Sequence, residues 1–153
     1  MGTTFKSLYP QILDSVRSDT LAEMTDHDIQ LYFDNLIKRA VAEFWFPRID
    51  LSYGLANQND PDDLAFVNDI TQKEINVLLT FIKRFWLEQQ IDDEQKMEQR
   101  YFDSAIRTHS QANMLMALRQ RYQDALKECE LAQHNYSRSV ANKSTIGDIY
   151  SDE

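Results

Sequence analysis

Apolar positions along this chain recur mostly at helical spacing. The longest regular stretch runs from Ser110 to Ser139, without a single Gly or Pro. Leu115, Leu118, Tyr122, Ala125, Cys129, Ala132 and Tyr136 follow one another at alternating steps of three and four. That rhythm holds a narrow stripe on one side of a helix, like the seam of a heptad repeat. Thirty residues at about 1.5 Å each make a rod of roughly 45 Å. The small side chains of Ala125, Cys129 and Ala132 let another helix approach closely. Periodicity alone leaves open whether the seam packs only within its own domain or also offers a side to an adjacent copy.

The other elements are read the same way. Phe5, Leu8, Tyr9, Ile12, Leu13 and Val16 share a helical face, with Ser7 as the candidate N-cap and Pro10 in the first turn. Residues 14–28 form a polar connection. Thr25-Asp26-His27-Asp28 then opens a helix whose face is Ile29, Tyr32, Phe33, Leu36, Ile37, Ala40, Val41 and Phe44, stopped by Pro47. Phe44-Trp45-Phe46, at its end, reads as core.

From Ile49 the period changes to two. Ile49, Leu51, Tyr53 and Leu55 alternate with polar residues, residues 57–63 form a polar tip, and Leu64-Ala65-Phe66-Val67 supplies a return strand. An extended hairpin over about 49–67 is expected, leaning on the helices or on another protein because two strands alone are marginal in water. Thr71-Gln72-Lys73-Glu74 is a capping box. It opens an amphipathic helix with Ile75, Leu78, Leu79, Ile82, Phe85 and Trp86 on one face, ending near Ile91. Residues 92–109 are charged and polar, with Tyr101, Phe102 and Ile106 able to anchor them. Ser137–Glu153 carries only a few hydrophobes, among them Ile146, Ile149 and Tyr150, and is expected to be extended from about 141. The predicted class is mainly α: one helical domain over 1–140 with a hairpin arm within 48–70, and an extended partner-binding tail over 141–153.

Composition narrows the function. Twenty-five acids against sixteen bases give a net charge of −9, which repels polyphosphate and argues against general nucleic-acid binding. It would, however, keep a duplex passing nearby from sticking. No apolar run approaches the ~20 residues of a membrane span, so no membrane partner is expected, and the opening residues do not read as a secretory signal. Cys129 is the single cysteine and, on the seam, reads as a small buried apolar side chain. His27, His109 and His134 lack metal-ligand spacing with another His or Cys, and there is no glycine-rich phosphate loop or G-x-S-x-G turn. Asp60, Asp62 and Asp63 lack the order of a calcium-binding loop. Glu88, Asp92, Asp93, Glu94 and Glu98 read as a solvated charge run. The expectation is a protein without catalytic residues, cofactor or metal.

The order of these marks resembles a known family. A helix runs into Phe44-Trp45-Phe46-Pro47, followed by extended Asp50-Leu51-Ser52-Tyr53. Phe66-Val67-Asn68-Asp69-Ile70-Thr71 then opens a capped helix ending in Trp86-Leu87-Glu88-Gln89. Last, His109-Ser110-Gln111-Ala112-Asn113 leads into the long helix that finishes at Tyr136. Over most of residues 25–140 this resembles the head-to-tail adaptor (connector, or head-completion) proteins of tailed bacteriophages.

The resemblance implies a virion protein assembled in the host cytoplasm, a subunit of a usually twelve-fold ring in the neck. The ring lies between the portal and a stopper or tail-terminator, with DNA as passing cargo. It implies that the tail, with Ile146, Ile149 and Tyr150, grips the portal. Leu115, Leu118, Tyr122, Ala125 and Cys129 would serve helix or subunit packing, and Asp60, Asp62 and Asp63 would face a neighbour. The arm between Pro47 and Thr71 is long for a tight hairpin and departs from the family pattern. A different class also fits the residues, a small helical adaptor or regulator that binds one partner through its long helix. An enzyme is the weakest reading.

Overall fold

The computed structural model of the chain describes residues 2–16, 21, 23–100 and 109–149, with side chains described outside 98–111 and 140–149. It is mainly helical with one small antiparallel hairpin. A 3₁₀ turn at Phe5–Leu8 leads into α1 (Tyr9–Ser15) and α2 (Asp26–Glu43). The arm, β1 (Tyr53–Asn57) and β2 (Asp60–Phe66), precedes α3 (Gln72–Arg100) and α4 (His109–Ile149).

α3 is the centre of the molecule. It packs against α1, α2 and α4, and so buries more than the one face its periodicity predicts. Ile75, Leu78, Ile82 and Phe85 are buried as expected, but so are Val77, Phe81 and Leu87. The main core joins these residues, Leu87 excepted, to Phe5, Leu8, Ile12 and Val16 of the N-terminal segment and to Phe33, Leu36, Ile37 and Ala40 of α2. α4 adds Cys129 and Tyr136 to that core, while its Leu118 and Ala125 form a second cluster with Leu87. Ion pairs fix the helices lengthwise: Arg39–Glu88 and Arg84–Glu43, both 3.0 Å, tie α2 to α3, and Lys83–Glu128 at 2.8 Å ties α3 to α4.

Helix boundaries follow the capping chemistry where it was read correctly. Thr25 caps α2, its Oγ1 accepting from the Asp28 N–H at 3.2 Å. Glu74 reaches back to accept from the Thr71 N–H at 3.1 Å and from the Thr71 hydroxyl. Ser7 is not the cap of α1: it lies within the 3₁₀ turn, its hydroxyl donating to the Thr4 carbonyl, and Pro10 occupies the first turn of α1. α3 runs to Arg100 rather than ending near Ile91.

α4 is helical through Ile149, where an extended tail was expected from about 141. No residue in α4 before Gly147 stops a helix, and each residue added to an existing helix gains a hydrogen bond. Tyr101, Phe102 and Ile106, expected to anchor the connection, and Tyr150–Glu153 lie outside the described residues.

The arm is tighter than its polar tip implied. Asn57 pairs with Asp60 across a two-residue turn at Gln58-Asn59, so Pro61, Asp62 and Asp63 belong to β2. It leans on the N-terminal segment through Phe5, whose ring lies 4.9 Å from Phe66 and 5.3 Å from Tyr53. Thr4 bridges Ala65, and the Phe66 N–H donates to the Thr3 carbonyl at 2.9 Å, so residues 3–4 cover the outer edge of β2. Gly2 makes this approach possible, since a Cβ there would stand 1.8 Å from the Phe66 carbonyl oxygen.

Candidate functional site

Two surface features stand apart from the packed body: the turn that ends α2 and the outer side of the arm. The turn begins as the apolar face of α2 runs out at Phe44, which is buried with its ring edge-on to Tyr136, centroids 5.1 Å apart. Gln133 of α4 donates from Nε2 to the Trp45 carbonyl at 2.7 Å, and the Arg48 N–H donates to the Tyr136 hydroxyl at 2.8 Å. α4 therefore grips the chain before and after Phe46. The expectation that all three aromatics are core is corrected here: Trp45 is 67% exposed and Phe46 90%.

Phe46 also has φ of +51°, the only positive value at a non-glycine among the described residues. A bulky side chain in that region costs on the order of 1–3 kcal/mol and persists only where neighbours over-determine it. The grip from α4 supplies that constraint. Beside the pair lies a groove of about 300 Å³, walled by Phe81, Arg84, Leu126 and Cys129. Arg84 is held there by Glu43 and lies over the Phe85 ring at 4.6 Å.

Beneath the turn is a buried polar clamp that sequence reading half identified. Glu74, 2% exposed, accepts from the Tyr136 hydroxyl at 2.7 Å through Oε1, while Oε2 serves Thr71. Burial pushes the Glu74 carboxyl up, but the hydrogen bonds from Thr71, Tyr136 and the backbone outweigh it and leave the group below its ordinary value. Burial, with the Glu74 carboxylate behind it, raises Tyr136. The capping box was legible in the sequence; its partnership with a residue 62 positions away was not.

The predicted site residues fall out as follows. Leu115, Leu118, Ala125 and Cys129 are buried and Tyr122 is partly so, within the single chain. Leu118, Ala125 and Tyr122 pack with Leu87 and Trp86 of α3, and Cys129 joins the main core, so this stretch of the seam is covered without a second copy. Met114, Met116 and Leu131 of α4 are exposed instead. Burial pushes the Cys129 thiol up, as befits an unreactive core side chain.

Asp60 and Asp63 flank Lys6 at 3.9 and 3.2 Å, and Asp62 lies 4.0 Å from His27. The Asp62 carbonyl also accepts from Gln30. These acids tie the arm to its own helices. Ile146 and Ile149 lie on the helical backbone of α4, and Tyr150 lies outside the described residues. Among the described residues no three His, Cys, Asp or Glu side chains gather to hold a metal ion, and no helix is long and apolar enough to cross a membrane.

Comparison with protein-family models, curated proteins and solved structures found no match.

Proposed function

We propose that this chain is a ring-forming head-to-tail adaptor of a tailed phage, seated between the portal and a stopper or tail-terminator, with DNA as passing cargo. It performs no chemistry and acts by filling a place in an assembly. The observation that carries the reading is the Trp45–Phe46 turn. Two large aromatics stand in water, one of them on a strained backbone that α4 holds in place. Folding alone gains nothing from that arrangement, whereas a contact surface does. The order of elements quoted above, which resembles that of such adaptors, supports this choice of assembly. The net charge of −9 suits a wall past which a polyanion slides.

The other reading, a regulator that binds one partner through its long helix, loses support because much of the α4 seam is already buried against its own chain.

Electron microscopy of the purified chain mixed with portal rings tests the proposal. The expected outcome is an additional ring of density on one face of the portal. Portal particles unchanged at saturating chain concentration would overturn it.

A further inference from the structure

We infer that the groove beside the Trp45–Phe46 turn receives an arginine side chain of a neighbouring protein in the assembly. The inference deepens the adaptor reading, on which it rests, by naming the chemistry that the aromatic contact surface recognises.

The chain itself shows what its rings accept. Arg39 lies over the Phe85 ring at 4.1 Å and pairs with Glu88 at 3.0 Å. Arg84 lies over the same ring at 4.6 Å and pairs with Glu43 at 3.0 Å. Each time a guanidinium, an aromatic face and a carboxylate meet as a trio. The negative face of a ring attracts the cation, and the planar guanidinium stacks on it while its forked donors suit a carboxylate.

The groove holds two parts of a third such trio. Trp45 and Phe46 supply rings left in water. Glu130 supplies an exposed carboxylate that forms no ion pair among the described residues. Glu43 and Arg84, the other acid and the permanently charged base in the lining, answer each other. The surplus is therefore negative, on a chain whose net charge is already −9.

The lining also has an acceptor to spare. Gln133 is 6% exposed, and its Nε2 is held by the Trp45 carbonyl, which can only accept. The amide cannot turn over without losing that bond, and its Oε1 has no hydrogen-bond partner. A buried acceptor in that state calls for a donor. An apolar side chain would cover the rings and leave both the carboxylate and the amide oxygen unanswered. A guanidinium brings five N–H donors and a positive charge. The volume of about 300 Å³ lies at the lower end of the range of about 300–1,000 Å³ for ligand pockets, and suits one long side chain.

Titration of the isotope-labelled full chain with N-acetyl-arginine amide, to tens of millimolar, tests the site by nuclear magnetic resonance. The Trp45 indole N–H and the Gln133 side-chain amide are expected to shift together and saturate. Citrulline amide, similar in shape without the charge, and norleucine amide are expected to bind about three- to tenfold more weakly. Lysine amide, which lacks the planar fork, should also bind more weakly than arginine. Any of these three binding as tightly as arginine overturns the inference. Shifts that never saturate, that leave Gln133 unmoved or that spread equally to other exposed rings such as Tyr53 overturn it too.

Two surface substitutions place the contact. Trp45→Ala removes a ring while its backbone carbonyl still serves Gln133, and Glu130→Gln removes the charge with little change of shape. Read at the Gln133 amide, each is expected to weaken arginine binding about threefold or more. Unchanged affinity in either overturns the inference.

These results are independent of the portal. A chain that adds a ring to the portal but does not bind arginine amide keeps the neck and loses this site. A chain that binds arginine amide with the stated selectivity but ignores the portal keeps the site and loses the neck.

Discussion

Tyr136 shows how one side chain couples distant parts of the chain. Its hydroxyl donates to Glu74 and accepts from the Arg48 N–H, and its ring packs on Phe44. Tyr136→Phe keeps the ring and strands two polar partners. An unsatisfied buried group costs about 1–3 kcal/mol, so urea unfolding at pH 7 should show a loss of that order. Glu74→Gln should cost a similar amount, because one amide oxygen cannot replace both carboxylate oxygens.

The pH dependence of that second loss follows from the lowered Glu74 carboxyl. A carboxyl whose value falls on folding contributes stability above its unfolded value and loses it as pH drops through the folded one. The gap between parent and Glu74→Gln should therefore be full at neutral pH and shrink under acid conditions. Asp34 has the opposite sign. It is 3% exposed and accepts from the Tyr9 hydroxyl at 2.6 Å, yet burial raises its carboxyl despite Tyr9, Lys38 and Lys6. A raised carboxyl weakens the fold above its folded value and ceases to do so as pH falls through it. Asp34→Asn keeps an oxygen for Tyr9 and removes the buried charge. Its urea midpoint at pH 7 should equal or exceed the parent's, with any advantage fading as pH falls.

At the scale of elements, the seam of α4 allows a sharp test. Ala125 is 1% exposed and lies in the cluster with Leu87 and Leu118. Ala125→Leu overfills the contact between α4 and α3 and should cost about 1–3 kcal/mol. The loss should be the same at nanomolar and micromolar chain, because the contact is internal. A loss that appeared only where copies associate would return the seam to the subunit interface.

The same helices show what the sequence made legible. A period of three and four, the Thr25 cap and the Thr71–Glu74 box placed α2, α3 and α4, because each depends on residues a turn apart. The change to period two placed the arm for the same reason. What escaped were facts set by distant partners. Nothing near Ile75 says that α3 will be enclosed from three sides. Nothing near Asp60 says that Lys6 and His27 will claim the arm's acids. Thr3 and Thr4 carry no strand pattern of their own, and only β2 beside them gives them one. Trp45 and Phe46 looked like core by composition. The local clue was that they lie past the last position of the α2 face and just before Pro47, where no helix can turn them inward.

For the whole molecule, the decisive question is how the far end of α4 is used. The helix continues through Ile149, beyond Tyr136, the last of its described side chains in the main core. Ile146 and Ile149 follow on that extension with Gly147 between them. Under the adaptor reading this end grips the portal. Deleting Lys143–Glu153 should leave the core, the Glu74–Tyr136 clamp and the aromatic turn intact. Thermal unfolding of the chain alone should thus move little, and the far-ultraviolet helical signal should fall only by the few residues removed. Portal binding, measured by co-sedimentation, should drop at least about tenfold, the effect of removing one or two buried apolar anchors. A truncated chain that bound the portal like the parent would move the grip to another surface, and the exposed Met114, Met116 and Leu131 of α4 would be the next place to cut.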